Sequence, residues 1–137
     1  LGSEITVRRL SLFATFVACI VACGCGDLCD YAVVSETKSP DGKLKAVVFD
    51  RGCGTPIDSS EQVSILSSSA SSPSDRGNAF IVGDENHAVP TEAKLQIEIK
   101  VTWESNTSLS VSYPKNAQVS LKKPTVAGVS IRYVLTP

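Results

Sequence analysis

Leu95-Gln-Ile-Glu-Ile-Lys-Val-Thr-Trp103 sets Leu95, Ile97, Ile99, Val101 and Trp103 in strict alternation with Gln96, Glu98, Lys100 and Thr102. Successive side chains on a strand point to opposite faces, so a period of two predicts a strand with one face in the core and one in water. Ser105-Asn-Thr107 then turns the chain, and Leu109, Val111 and Tyr113 alternate in the same way on the return. The two runs read as a β-hairpin whose apolar faces oppose each other. Downstream, Pro114-Lys-Asn116 turns into a strand over 118–121, Lys122-Lys-Pro-Thr125 breaks it, and Val129, Ile131, Tyr133 and Leu135 alternate in a final strand.

Upstream the same punctuation recurs. Residues 31–36 and 44–49 flank Ser39-Pro-Asp-Gly42, where Pro pre-sets φ and Asp and Gly accept the turn conformations that follow, so 31–50 predicts a second hairpin. Arg51-Gly-Cys-Gly-Thr-Pro56 ends it, and strands are expected at 62–66 and 78–82, separated by the small polar loop 67–74. No helical stripe occurs after residue 30. Eight short strands at hairpin spacing predict an all-β domain over 30–137, an antiparallel meander, sandwich or partly closed barrel.

The chain ahead of that domain has a different character. In residues 7–25, VRRLSLFATFVACIVACGC, Arg8 and Arg9 precede an uncharged, mainly apolar run over 10–22. A bilayer-spanning helix needs ~20 apolar residues, so this 13-residue run fits the helical core of an export signal. Ile20-Val-Ala-Cys23 matches a lipobox, in which a small residue precedes a cysteine that is lipidated and becomes the new N-terminus. The expected organisation is a signal peptide over 1–22, a tether over 23–29 lipidated at Cys23, and the β domain. Ser11 stands where a twin-arginine signal prefers an apolar residue, so general secretion is the expected route. Gly24 is not an Asp retention signal, which points to the outer membrane in a two-membrane cell. Because the chain starts at Leu1 and contains no Met, translation is expected to begin upstream or at a non-ATG codon.

Removal of 1–22, which holds Glu4, Arg8 and Arg9, takes the net charge from −1 to −2 over 115 residues. That balance offers no basic stripe for nucleic acid and no polybasic membrane patch, so attachment must come from the lipid. Of the five cysteines, Cys19 lies in the signal and Cys23 is acylated, leaving Cys25, Cys29 and Cys53. Their spacing is not that of paired metal ligands, and an exported chain meets oxidising conditions. Cys29 and Cys53 both border expected strands and are the expected disulfide; Cys25 stays in the tether. Closing a loop of about 25 residues stabilises the fold by ~3 kcal/mol in the chain-entropy picture.

Residues able to carry chemistry are few. His87, the one histidine, lies in the polar turn GDENHAVP with no nucleophile-elbow serine, and reads as a solvated loop residue. Asp84, Glu85 and Asn86 lack the rest of a calcium loop. Trp103 could stack on a sugar, but its place in the alternation makes it a core or rim residue first. Lys122 and Lys123 beside Pro124 read as a solvated turn or edge protection. Asp50, Asp58 and Glu61 read as loop solvation, although paired carboxylates facing across a cleft would leave no local signature. No catalytic, metal-binding or cofactor-binding residue is expected.

Ser39-Pro-Asp-Gly-Lys-Leu-Lys-Ala-Val-Val-Phe49, Arg51-Gly-Cys-Gly54, Gln62-Val-Ser-Ile-Leu66, Gly77-Asn-Ala-Phe80, Val101-Thr-Trp103, Leu109-Ser-Val-Ser-Tyr-Pro114 and Val129-Ser-Ile-Arg-Tyr133, in this order, resemble a family of small bacterial lipoproteins built on a domain of unknown function. The resemblance implies a lipobox, a cysteine soon after it and another in the C-G step, which Cys29 and Cys53 match; Cys25 departs from that pattern. The S-P-D-G-K hairpin also resembles β-propeller blades, but the motif does not repeat and one short domain cannot form a propeller. The expected function is a non-enzymatic interaction module of the cell envelope, anchored at Cys23 and acting on a protein or envelope partner. A small hydrolase, an inhibitor or immunity protein against a hydrolase or toxin, and a ligand carrier are the alternatives.

Overall fold

The computed structural model describes residues 29–53, 59–71, 73, 75–83 and 97–137, and the statements below concern those residues. The expected signal peptide, Cys23, Cys25, Asp58, His87 and Leu95 lie outside them. Nine strands follow in chain order: β1 (Cys29–Lys38), β2 (Leu44–Cys53), β3 (Ser59–Ser67), β4 (Phe80–Val82), β5 (Lys100–Ser105), β6 (Ser108–Pro114), β7 (Val119–Lys122), β8 (Thr125–Val126) and β9 (Val129–Thr136). They form two sheets, ordered β1-β2-β3-β4-β7 and β5-β6-β9-β8, packed as a sandwich and not closed into a barrel.

The first hairpin forms for a local reason. Gly42 N–H donates to the Ser39 carbonyl at 2.8 Å with Gly42 at φ 72°, a conformation that costs glycine nothing. Asp41 accepts from the Ser39 hydroxyl (2.7 Å) and from Lys43 N–H (3.1 Å), and the Ser39 bond holds its carboxyl below the usual range. The same turn is tied to the second sheet. Asp41 N–H donates to Asn106 Oδ1 at 2.8 Å, and Trp103 Nε1–H donates to the Thr37 carbonyl at 2.9 Å.

Between the sheets, Ala46, Val48, Val63, Ile65, Phe80 and Val82 face Ile99, Leu109, Val111, Tyr113, Val129 and Ile131. The alternation that predicted the sandwich has the expected phase: Ile99 is buried, Ile97, Val101 and Trp103 are half-buried, and Glu98, Lys100 and Thr102 are exposed. Val101 sits opposite Val111, and Trp103 opposite Leu109. Burial is incomplete because β5 is the edge of its sheet, and regular pairing starts only at Lys100. The middle strands of the first sheet are buried on both faces. Val47, Phe49, Gln62 and Ile81 point away from the sandwich core and are fully buried too. Gly77 lies against this second face, where an added Cβ would stand 2.9 Å from Gln62 Cβ.

Two features depart from hairpin counting. The chain leaves β6, crosses to the first sheet as β7 beside β4, and returns so that β9 pairs with β6 in parallel, Ser108 against Ser130 through Pro114 against Thr136. Sequence spacing suggests only antiparallel neighbours, because a crossover this short carries no helix to announce it. The second departure is β8, which joins β9 through Ala127 (φ 51°) and Gly128 (φ 75°). Two central residues with positive φ make a type I′ turn, which normally favours Asn-Gly; Ala-Gly hides it. Ala127→Asn is therefore expected to raise stability by about 0.5–1 kcal/mol, and Gly128→Ala to lower it by about 1 kcal/mol, read as opposite shifts of the urea midpoint.

Candidate functional site

Three groupings of side chains are candidates. The first is β1 and its flank. Cys29 and Cys53 face each other at the open end of the β1–β2 ladder, joined by a disulfide with Cα atoms 4.0 Å apart. Next along, the Arg51 guanidinium donates to the Tyr31 hydroxyl at 3.3 Å and lies 5.7 Å from that ring's centre, while Tyr31 packs on Phe49 at 6.1 Å. At the other end Lys45, only 3% exposed, is held by Glu36 at 3.1 Å. A buried ammonium needs such a partner, so this pair keeps the hairpin in register. Between these anchors the strand is open to solvent from Ala32 to Lys38, and a bulge leaves Val34 without a partner on β2.

The second is an acidic rung. Asp50 and Glu61 are directly opposite on β2 and β3, on the face turned toward the second sheet, one rung beyond Val48 and Val63 and with Val82 of β4 opposite Glu61. The Glu61 carboxylate accepts from Ile99 N–H, and Glu98 adds a further negative charge nearby. Burial, followed by repulsion from Asp50, pushes Glu61 up to about 7 from an ordinary 4.5. Such a group is half protonated at neutral pH and can give or take a proton there. The sequence marks both acids as candidates for loop solvation; instead they are strand residues brought together by register. They stand side by side on one sheet rather than face to face across a cleft.

The third is aromatic. Phe80 packs against Tyr113 (4.8 Å) and Tyr133 (5.4 Å), and the Lys122 ammonium lies 4.8 Å from the centre of the Tyr133 ring. The Tyr133 hydroxyl donates to the Lys123 carbonyl at 2.7 Å, and burial pushes that phenol up to about 12. The Tyr133 and Tyr113 hydroxyls are both engaged, with the Ala79 and Lys123 carbonyls and with the Lys122 ammonium, so the cluster ties strands together. In the second sheet, Glu104 of β5 bonds Ser108 of β6 and Arg132 of β9, a solvent-exposed grouping.

Trp103 is half-buried, packed against the core, and its indole N–H donates to the Thr37 carbonyl across the two sheets. His87 and the acids around it lie outside the described residues, as do Cys23 and Cys25. Among the described residues no three His, Cys, Asp or Glu side chains are grouped to hold a metal ion, and no helix is long and apolar enough to cross a membrane. No protein-family model matches the chain, and neither curated proteins nor solved structures yield a match.

The Glu61 carboxyl makes stability depend on pH with a definite sign. Its folded value lies above its unfolded one, so the folded state binds more protons between about pH 4.5 and 7. Stability falls as pH rises through that window and stays at the lower level above it. Glu61→Gln is expected to raise stability at pH 8.5 by about 1 kcal/mol, after discounting for partial exposure, and to change little at pH 4. Urea unfolding at the two pH values checks it.

Proposed function

We propose that the chain is a lipid-anchored protein of the cell envelope, held at the membrane through Cys23 and acting on a protein or envelope partner as a non-enzymatic binding module. The observation that carries this reading is the order of three features: an expected export signal ending in Ile20-Val-Ala-Cys23, the tether over 23–29 with five residues between its two cysteines, and a solvent-open strand beginning at Cys29. Fully extended, that tether reaches about 20 Å, so β1 is the first part of the domain that the anchor presents at the membrane. The Cys29–Cys53 disulfide supports an oxidising compartment, and it locks the strand to the sheet at the point where any pull from the anchor arrives. The resemblance to small bacterial lipoproteins, resting on the residues quoted above, agrees with it. Gly24 directs the anchor to the outer membrane where two membranes exist. The mature net charge of −2 gives nucleic acid no footing.

Metabolic labelling with a fatty-acid analogue is expected to mark the wild-type chain and to fail on Cys23→Ser, which should also leave the membrane fraction. Equal labelling of the variant overturns the anchor. Recovery of the wild type with the inner membrane overturns the outer-membrane placement.

The acidic rung favours one second reading, a small envelope hydrolase. A carboxyl that holds its proton at neutral pH beside another acid is the arrangement general acid–base chemistry uses. That reading requires the purified chain to cleave an envelope polymer such as peptidoglycan, with the activity abolished by Asp50→Asn and by Glu61→Gln. Absence of cleavage by the wild type leaves the binding module.

A further inference from the structure

We propose that Asn106 is an acceptor for N-linked glycosylation, its side-chain amide nitrogen taking an oligosaccharide from a lipid pyrophosphate carrier as the chain is exported. The proposal rests on the export reading above but not on the anchor at Cys23.

The first observation is a pattern in the sequence. N-linked transfer reads Asn, then any residue but Pro, then Ser or Thr, on the surface of an exported chain. The residues two positions beyond Asn78, Asn86 and Asn116 are Phe80, Ala88 and Gln118, so of the asparagines in the chain Asn106, followed by Thr107 and Ser108, alone meets the rule. The form of the acceptor used in bacterial envelopes adds an acidic residue two positions before the asparagine, and Glu104 stands there. Glu104-Ser-Asn-Thr-Ser108 thus carries the extended pattern without a gap.

The second observation is the state of the amide in the folded domain. Asn106 and Thr107 form the exposed tip between β5 and β6. A backbone N–H can only donate, so the atom receiving Asp41 N–H at 2.8 Å is Oδ1, and Nδ2 is the other arm of the amide. Nδ2 makes no hydrogen bond among the described residues. Substitution on Nδ2 removes one N–H and leaves Oδ1 an acceptor. A glycosylated Asn106 therefore keeps the contact that docks one hairpin on the other, and the sugar displaces no buried group. In the closed hairpin Glu104 is bonded to Ser108 and Arg132, which withdraws both flanking recognition groups. The transfer accordingly acts on the emerging chain before β5 and β6 pair, and the fold then closes around a product it has room for.

Placement agrees with this order of events. β1 runs ten residues from Cys29 toward the turn whose Asp41 touches Asn106. At the usual rise of a strand that is about 30 Å, so the glycan stands at the pole of the sandwich opposite the disulfide and the tether. In the transfer itself, Nδ2 attacks the anomeric carbon of the first sugar. The bond from that carbon to the pyrophosphate oxygen breaks, and the lipid pyrophosphate leaves with the electron pair. One amide proton passes to a base of the transferase, and nothing is oxidised or reduced.

The test is the intact mass of the full chain, recovered from the envelope of a bacterial host with and without a bacterial oligosaccharyltransferase and its lipid-linked oligosaccharide. A gain of one glycan is expected only where the transferase is present, on the peptide containing Asn106. Asn106→Gln, Ser108→Ala and Glu104→Gln are each expected to lose the gain, and Ser108→Thr to keep it. An exported chain of unchanged mass, or a gain that survives in Asn106→Gln, overturns the proposal and leaves the envelope reading standing. A chain retained in the cytoplasm overturns both.

Discussion

Phe80 is the residue on which the arrangement of the two sheets depends. It projects from the short β4 into the sandwich and meets Tyr113 of β6 and Tyr133 of β9 at 4.8 and 5.4 Å. Those two rings approach edge to face at 6.3 Å, so three aromatic side chains from two sheets close on one another. Tyr113 and Tyr133 stand on parallel neighbours, and Phe80 covers the seam between them. Aromatic contacts of this kind add about 0.5–1.5 kcal/mol each beyond the area they bury. The Tyr133 hydroxyl extends the same junction by donating to the Lys123 carbonyl, just beyond β7. The crossover from β6 to β7 and back to β9 therefore turns around one packed point, which is why a parallel pair is held without a helix to cover it.

At the far end of the sandwich the sheets are joined by polar bonds instead. Trp103 reaches Thr37, and Asn106 receives the Asp41 N–H, so the turn of one hairpin is docked onto the other. Both contacts leave a few polar groups to fix what a large apolar surface fixes elsewhere. Hydrogen bonds contribute about 1 kcal/mol each in net terms, less than the packed interior, but they are directional and set alignment. The first hairpin is thereby pinned at the disulfide, at Lys45–Glu36 and at the docked turn, with its outer edge left bare.

The acidic rung lies where such packing runs out. On β2 and β3 the apolar run stops at Val48 and Val63, and the next pair is Asp50 and Glu61, with buried Val82 of β4 opposite Glu61. Two acids side by side repel, and burial makes ionisation harder still, so Glu61 holds a proton that an exposed glutamate would lose. Nearby Glu98 adds to the repulsion, while Ile99 N–H offers the carboxylate one compensating donor. The arrangement weakens the folded state under alkaline conditions.

Most of the strands, though not β8, and which of their faces turn inward, could be read from the order of residues alone. Alternation over 97–103 and 109–113 is a relation between neighbours along the chain, and the pleat converts it directly into sides of a sheet. The Ser39-Pro-Asp-Gly turn is equally local, as is the neighbourhood of strand ends that marks Cys29 and Cys53 for each other. The expectation of an export signal and of an anchor at Cys23 rests on sequence alone. Tertiary structure decided the rest: that β9 lies parallel to β6, that Val47, Phe49 and Ile81 are buried on a second face, and that Asp50 stands against Glu61. It also decided that Trp103 spends its N–H on Thr37 and that β1 keeps an open edge. Each of these depends on residues far apart in the chain meeting in one register, and a period of two says which way a side chain points but not which strand will lie beside it.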